Sequence, residues 1–470
     1  MSGSSFKSIS SMAMLEAMQP AWDDALIQRY NIHGPRYTSY PTALALSPDF
    51  STEQAKRALL NSREPLSLYI HIPFCHSLCY YCGCNKVITR HQEKADAYLD
   101  ALIAEMAMYA PYVRHRTVQA LHLGGGTPTF LSSAQFTRLM NALATHFNFR
   151  AQDCQEVSIE IDPRACTLSK LAHLRALGFN RVSFGVQDFD HDVQIAINRV
   201  QTEELVRNLV EAAQIYGFES INLDLVYGLP HQNLDSFHKT LTKVIALNPD
   251  RVSLFSYAHL PSRFPAQRKI KDETLPDGAE KLALLRAGIE SFTGAGYQFI
   301  GMDHFARPDD ELAVAQRDGR LQRNFQGYTT HGSDCLLGLG VSSISQVNGV
   351  IWQHEKSVTP YQASVQSGTL PVVKGISLTR DDSLRAALIA QLICHFHLHI
   401  RAFEHAWHVN FQDYFAEALT RLQPFIDDGL VRLSKTSIEV TPAGRLWVRS
   451  ICACFDAYLN DGQSRYSKVV

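Results

Sequence analysis

No stretch of this 470-residue chain approaches the roughly 18 uninterrupted apolar residues of a membrane span. The segment Met1–Pro20 is Ser- and Met-rich, with a single lysine and no continuous apolar core, so a mobile leader is expected there rather than a secretory signal. Charge of one sign is also missing. Lys and Arg number 44 against 46 Asp and Glu, a formal net charge of −2, which gives no electrostatic case for nucleic acid or an anionic membrane surface. A disulfide framework is lacking as well: Cys154, Cys166, Cys335, Cys394, Cys452 and Cys454 show no such spacing in a chain this long. Scattered thiols of this kind read as reduced, and the expected location is the cytoplasm. No heptad seam is visible, and the pattern does not give the oligomeric state.

What the chain does have is a concentration of thiols. Tyr69–Lys86 reads YIHIPFCHSLCYYCGCNK, in which Cys75, Cys79 and Cys82 form C-x3-C-x2-C and Cys84 follows two residues later. Such clustering serves chiefly to hold a soft metal centre. Structural zinc sites usually use two ligand pairs separated by a longer spacer, and no second pair lies nearby, although His71 and His76 are available. A redox pair at Cys79 and Cys82 would leave Cys75 without a role. Three thiolates in one compact loop suit a [4Fe–4S] cube with its fourth iron open to an external ligand. From the residues alone, Cys84 remains open as a further ligand.

The surrounding pattern alternates strand and helix. Strands are expected at Leu66–Pro73, Ala120–Leu123, Val157–Ile161, Arg181–Val186, Ile221–Val226 and Val252–Tyr257, each aliphatic and each ending in Gly, Pro, Asp or a polar cluster. Between them Leu99, Leu102, Ile103 and Met106 share one helical face, and Lys170–Leu177 and Glu203–Ile215 behave similarly. Right-handed crossovers between six parallel strands predict an α/β fold, a partial (β/α)6 barrel. Functional residues of such sheets gather at the C-terminal strand ends. There this chain places the cysteine loop, GGGTPT (Gly124–Thr129), Glu160–Pro163, Gln187–Asp188, Asp224 and Tyr257–His259. The glycine cluster has neither the phosphate-loop nor the dinucleotide spacing.

Three regions are expected: 1–65, a leader and substrate-covering arm; 66–375, the catalytic domain with an extension; and 376–470, a mainly helical domain. In the last, a helix at Asp381–His397 and a hairpin from Gly429 to Thr441 resemble a winged-helix-like cap. That shape binds DNA in some proteins and is structural in others, and the neutral charge disfavours DNA.

C-x3-C-x-aromatic-C, with Tyr81 as the aromatic, resembles the signature of the radical S-adenosylmethionine superfamily. PRYTSYPTA (Pro35–Ala43), HIPFC (His71–Cys75), CGCNK (Cys82–Lys86), GGGTPT, GMDHFARPDDELA (Gly301–Ala313) and NFQGYTT (Asn324–Thr330) together resemble the oxygen-independent coproporphyrinogen III oxidase family. The resemblance runs from about Tyr30 to the end of the chain. It implies conversion of two propionates of coproporphyrinogen III to vinyl groups, giving protoporphyrinogen IX, through a 5′-deoxyadenosyl radical. It further implies that Cys75, Cys79 and Cys82 hold a [4Fe–4S] cluster, leaving Cys84 outside the ligand set. Tyr69, Gly125 and Glu160 would contact one S-adenosylmethionine, with Ile344 near its adenine. Tyr81, Gly126, Thr127, Gln187, Arg199, Asp224 and Ala258 would contact a second. Phe325 and Gln326 fall in a motif placed near the active site.

A tetracarboxylate substrate calls for cations, and Arg36, Arg268, Lys269, Arg307 and Arg323 lie in segments similar to the family. The resemblance also implies an electron donor of flavodoxin or ferredoxin type and a monomeric state. A haem-binding relative that keeps the three cysteines without decarboxylating is the competing reading; it resembles C-x3-C-x2-C-x-F, with Phe where this chain has Cys84. Cys335 departs from the family pattern and is expected to be a buried structural thiol.

Overall fold

The computed structural model describes residues 19–30, 34–331 and 335–459. The leader expected over Met1–Pro20 lies outside them apart from Gln19 and Pro20, as do Asn31 to His33 of the arm and Gly332 to Asp334 before Cys335. The chain divides into two compact units. One comprises Ala45–Leu284 and His331–Leu378; the other is drawn from the described parts of Met1–Leu44, Leu285–Thr330 and Thr379–Val470.

The first unit is organised by six strands, β1 (Leu66–Ile72), β2 (Val118–Gly125), β3 (Glu156–Ile161), β4 (Arg181–Gln187), β5 (Ser220–Tyr227) and β6 (Arg251–Ser256). They lie side by side in chain order, and every neighbouring pair is parallel. Parallel strands covered on both faces read as near-continuous apolar runs, and six of the seven residues of β1 are buried. The crossovers are helical: α1 (Glu93–Val113), α2 (Ser133–His146), α3 (Leu168–Ala176), α4 (Glu203–Ile215) and α5 (Leu234–Ala246). The starts of α2 to α5 are set by side chains that accept the first free amides, Ser132 and Asn233 in capping boxes and Thr167 and Thr202 as simple caps. In α4 the buried Val206, Leu209, Val210 and Ala213 form one apolar stripe.

The six-stranded parallel arrangement is therefore present, and its outer strands do not meet, so the curl stays open. A seventh parallel strand was not expected. β7 (Cys335–Leu339) pairs with the outer edge of β1, with Tyr69 opposite Gly338, and is continued by antiparallel β8 (Ile344–Val347), β9 (Val350–His354) and β10 (Val372–Ser377). The five residues CLLGL are too short a run to carry a period, and their partner strand lies far upstream in sequence.

In the second unit a helix at Arg380–His395 precedes a three-stranded antiparallel sheet of His397–His399, Ser437–Val440 and Val431–Leu433. The hairpin at the end of the chain is thus joined by one more strand. The tyrosine-rich arm is ordered against this C-terminal segment. Tyr37 donates to Asp456 at 3.0 Å, Tyr40 accepts from the Ala457 amide at 2.9 Å, and Arg449 donates to the carbonyls of Gly34 and Pro35. Among the described residues no helix is long and apolar enough to cross a membrane.

Candidate active site

The loop after β1 is clamped at its neck. Phe74–Cys75 pairs in parallel with Val87–Ile88, the Val87 amide reaching Pro73 O at 2.7 Å and the Thr89 amide reaching Cys75 O at 3.0 Å. Within it, the Cys82 amide turns back to Cys79 O, the Tyr80 amide donates to Ile197 O at 2.9 Å, and Lys86 Nζ donates to Cys82 O at 3.0 Å. Cys75 and Cys79 are buried, Cys82 is half-buried and Cys84 is exposed. Burial pushes the Cys75 thiol up to about 11. The neighbouring Cys84 thiol, with Lys86, holds Cys82 below the ordinary thiol range.

The glycines after β2 are packed directly on this loop. A Cβ on Gly126 would stand 2.6 Å from Pro73 O and 3.0 Å from Cys75 Sγ, so only glycine lets the two backbones approach this closely. The next residue, Thr127, donates its hydroxyl to Cys75 Sγ at 3.3 Å. This cradle, and the supply of soft thiolates from one loop, fit an iron–sulfur cluster.

Tyr69, Gly125 and Glu160 converge. Glu160 accepts from the Gly125 amide at 3.2 Å and lies 3.5 Å from His122 Nε2, and the His122 ring stacks on Tyr69 with centroids 5.9 Å apart. Burial holds His71 below its ordinary value, so its ring is neutral. Its Nε2–H donates to Asn85 O at 3.0 Å, which leaves Nδ1 to accept from Tyr69 Oη at 3.0 Å. Ile344 opens β8, and its carbonyl lies 2.6 Å from where a Cβ on Gly338 would stand, Gly338 being opposite Tyr69.

A second group gathers around Arg199, which is buried. Its guanidinium reaches Gly185 O at 2.6 Å, Asp162 Oδ2 at 3.1 Å and Cys79 Sγ at 3.6 Å, while its Nε has no hydrogen-bond partner among the described residues. Gln187 holds a positive φ of 68°, and a Cβ on Gly185 would lie 2.8 Å from both Arg199 Nη2 and Gln187 Nε2. Asp224 accepts from Ser183 at 2.9 Å and from Asn222 at 2.8 Å; burial, reinforced by the Glu160 charge, pushes it up to about 6. The carbonyls of Tyr81 and Ala258 share one donor, Gln267 Nε2, at 3.0 and 3.2 Å. Tyr81 packs against a cluster that includes Val193, Ile197, Val226 and Tyr257.

The candidate substrate cations are less alike. Arg268 donates to Pro261 O at 3.2 Å, and Lys269 lies over the Tyr80 ring at 5.3 Å. In the other unit Arg36 pairs with Asp303, Arg307 is 3.8 Å from Asp309, and Arg323 stacks on Tyr328 at 4.7 Å with Nε and Nη1 lacking hydrogen-bond partners among the described residues. Phe325 and Gln326 form the turn of the hairpin Gln322–Asn324 and Gly327–Thr329. Cys335 is buried against the Arg116 guanidinium, as a structural thiol should be. Sequence reasoning did not single out Arg164, His122 or Gln267, and included Asp162 only as part of Glu160–Pro163 at the end of β3.

The chain is 54% identical over 459 residues to the oxygen-independent coproporphyrinogen III oxidase of Salmonella typhimurium, covering 97% of this chain and all of that one. The chain belongs to the oxygen-independent coproporphyrinogen III oxidase family. The Pseudomonas aeruginosa relative of the same description is 51% identical over 454 residues, 96% of this chain and 99% of that one. The solved coproporphyrinogen III oxidase of Escherichia coli, described as a radical SAM enzyme, superposes with a TM-score of 0.90 at 53% identity, covering 94% of this chain and 100% of that chain. Residues 69–244 match the Radical SAM superfamily and 378–447 match the HemN C-terminal domain.

Proposed function

We propose that this protein is an oxygen-independent coproporphyrinogen III oxidase, which decarboxylates two propionate side chains of coproporphyrinogen III to vinyl groups and yields protoporphyrinogen IX. The carrying observation is the three-cysteine loop braced by Gly126 and Thr127 at the C-terminal end of a parallel sheet, in a chain of this family. Cys75, Cys79 and Cys82 would hold a [4Fe–4S] cluster, which with S-adenosylmethionine would supply the one-electron chemistry that removes a hydrogen atom from the propionate β-carbon, with carbon dioxide and one further electron lost.

Such chemistry is needed because no side-chain base removes an unactivated β-hydrogen. The protein's part is to bind and orient. Cys75, Cys79 and Cys82 are the metal ligands. Tyr69, Gly125 and Glu160 hold one S-adenosylmethionine, with Ile344 near its adenine. Tyr81, Gly126, Thr127, Gln187, Arg199, Asp224 and Ala258 hold a second. The convergence of Tyr69, Gly125 and Glu160, and separately of Gln187 and Arg199, supports this division. The enzyme works as a cytoplasmic monomer with a flavodoxin or ferredoxin as electron donor.

The test is anaerobic. Protein reconstituted with iron and sulfide is expected to form vinyl product from coproporphyrinogen III only when S-adenosylmethionine and a reductant are both present. Tight haem binding without vinyl product would overturn the proposal in favour of a haem carrier.

A further inference from the structure

The three ligand cysteines are not equally surrounded. Cys75 receives a neutral hydroxyl from Thr127, and Cys82 has a single cation beside it, Lys86, which donates to its carbonyl and adds to the Cys84 thiol in lowering the Cys82 thiol. Cys79 faces two guanidinium groups, Arg164 Nη2 at 3.3 Å and Arg199 Nη1 at 3.6 Å. One carboxylate holds both. Asp162 accepts Arg164 Nε at 3.0 Å and Nη2 at 2.7 Å in a two-pronged pair, takes the Arg164 amide at 3.0 Å, and accepts Arg199 Nη1 at 3.1 Å. The side chains of Arg164, Asp162 and Arg199 are only 20%, 12% and 7% exposed, so salt screens them poorly.

Arg199 belongs to the group assigned above to the second S-adenosylmethionine; Arg164 has no such assignment. Its fork is committed to Asp162 and the sulfur, with Nη1 3.4 Å from Asn198 O. Two arginines and one aspartate leave one net positive charge beside a single ligand sulfur. Hydrogen bonds to the sulfurs and nearby charge are what set an iron–sulfur potential, and charge-assisted donors are the stronger ones. The reduced cluster carries one more negative charge than the oxidised one, so a cation held here favours reduction.

We infer that Arg164 is a positioning residue for electron entry: clamped by Asp162, it donates to the sulfur of Cys79 and raises the reduction potential of the cluster. The inference rests on the cluster assignment made above. It concerns the resting cluster, before any porphyrin binds.

Arg164→Gln and wild-type protein, reconstituted anaerobically, are titrated with dithionite and the reduced cluster is followed by electron paramagnetic resonance, without porphyrin. The variant is expected to keep its iron and sulfide and to need a potential lower by about 59 mV or more, tenfold in a one-electron equilibrium. Arg164→Lys, which keeps the charge, is expected to fall between the two. An unchanged midpoint in an iron-replete Arg164→Gln variant overturns the inference. If that variant does not hold iron, Arg164→Lys decides: it keeps the charge but loses the fork held by Asp162, and a midpoint equal to or above that of wild type overturns the inference. A wild-type protein that forms no cluster signal would instead overturn the proposed function.

Discussion

Thr127 donates its hydroxyl to the sulfur of Cys75 at 3.3 Å, and that cysteine is buried. Thr127→Val keeps the shape and removes the donor. A lost hydrogen bond of about 0.5–1.5 kcal/mol corresponds to roughly 2- to 10-fold weaker retention of iron. Iron release to a chelator, followed by absorbance, is expected to accelerate by that factor; an unchanged rate would deny the hydroxyl a part.

Gly126 admits no side chain. In Gly126→Ala the new methyl meets the Pro73 carbonyl and the Cys75 sulfur, both on a loop clamped at its neck. Relief requires the loop to shift, at a cost of about 1–3 kcal/mol. Iron and sulfide per chain are expected to fall well below wild type while the circular dichroism spectrum stays the same. Full cluster content would show the cradle to be looser than the geometry states.

Cys82 and Cys84 should part company. Cys84 is exposed and lies beyond the turn that carries the three ligands. Cys84→Ser is expected to keep the iron–sulfur absorption band, and Cys82→Ser to lose it together with all turnover. A band lost in Cys84→Ser would make that residue a fourth ligand.

Asp224 gives a pH-dependent prediction. Burial raises it from 3.8 to about 6, so the folded chain holds a proton that the unfolded chain releases between those values. The group therefore favours folding below 3.8, and this contribution is lost as pH rises through 6. Asp224→Asn removes the buried charge and is expected to be more stable than wild type at pH 7, by at most about 3 kcal/mol. At pH 4 the difference should nearly vanish. Melting temperatures at the two pH values check this; equal differences would refute the shift. Because Asp224 is assigned to cosubstrate binding, the variant should pay in affinity for S-adenosylmethionine.

The six central strands were legible because each is a nearly unbroken apolar run ending in a residue that stops a strand. Val157–Ile161 and Arg181–Val186 fall within one residue of the observed bounds. β7 was not legible, since CLLGL is defined by its neighbour and by no pattern of its own. At the site, the thiol loop could be read from spacing, but the grouping of Tyr69, Gly125 and Glu160 came through resemblance. The Arg164–Asp162–Cys79 arrangement depends on crossovers that bring residues 79, 162 and 199 together, which no local motif records. Gln267 is invisible for the same reason: it matters because Tyr81 and Ala258 meet there.

Because β7 covers its outer edge, β1 is bonded along both sides, to β2 and to β7. The strand that delivers the thiols is therefore held by the sheet itself. Small zinc domains acquire their fold when metal arrives; a strand bonded on both sides is expected to keep its place by the sheet's own hydrogen bonds. Assembly is then expected in two stages, the polypeptide folding first and iron and sulfide inserted afterwards. Stripping the metal should accordingly leave the amides of Leu66–Ile72 among the slowest to exchange with solvent, and the emptied protein should accept a new cluster without refolding.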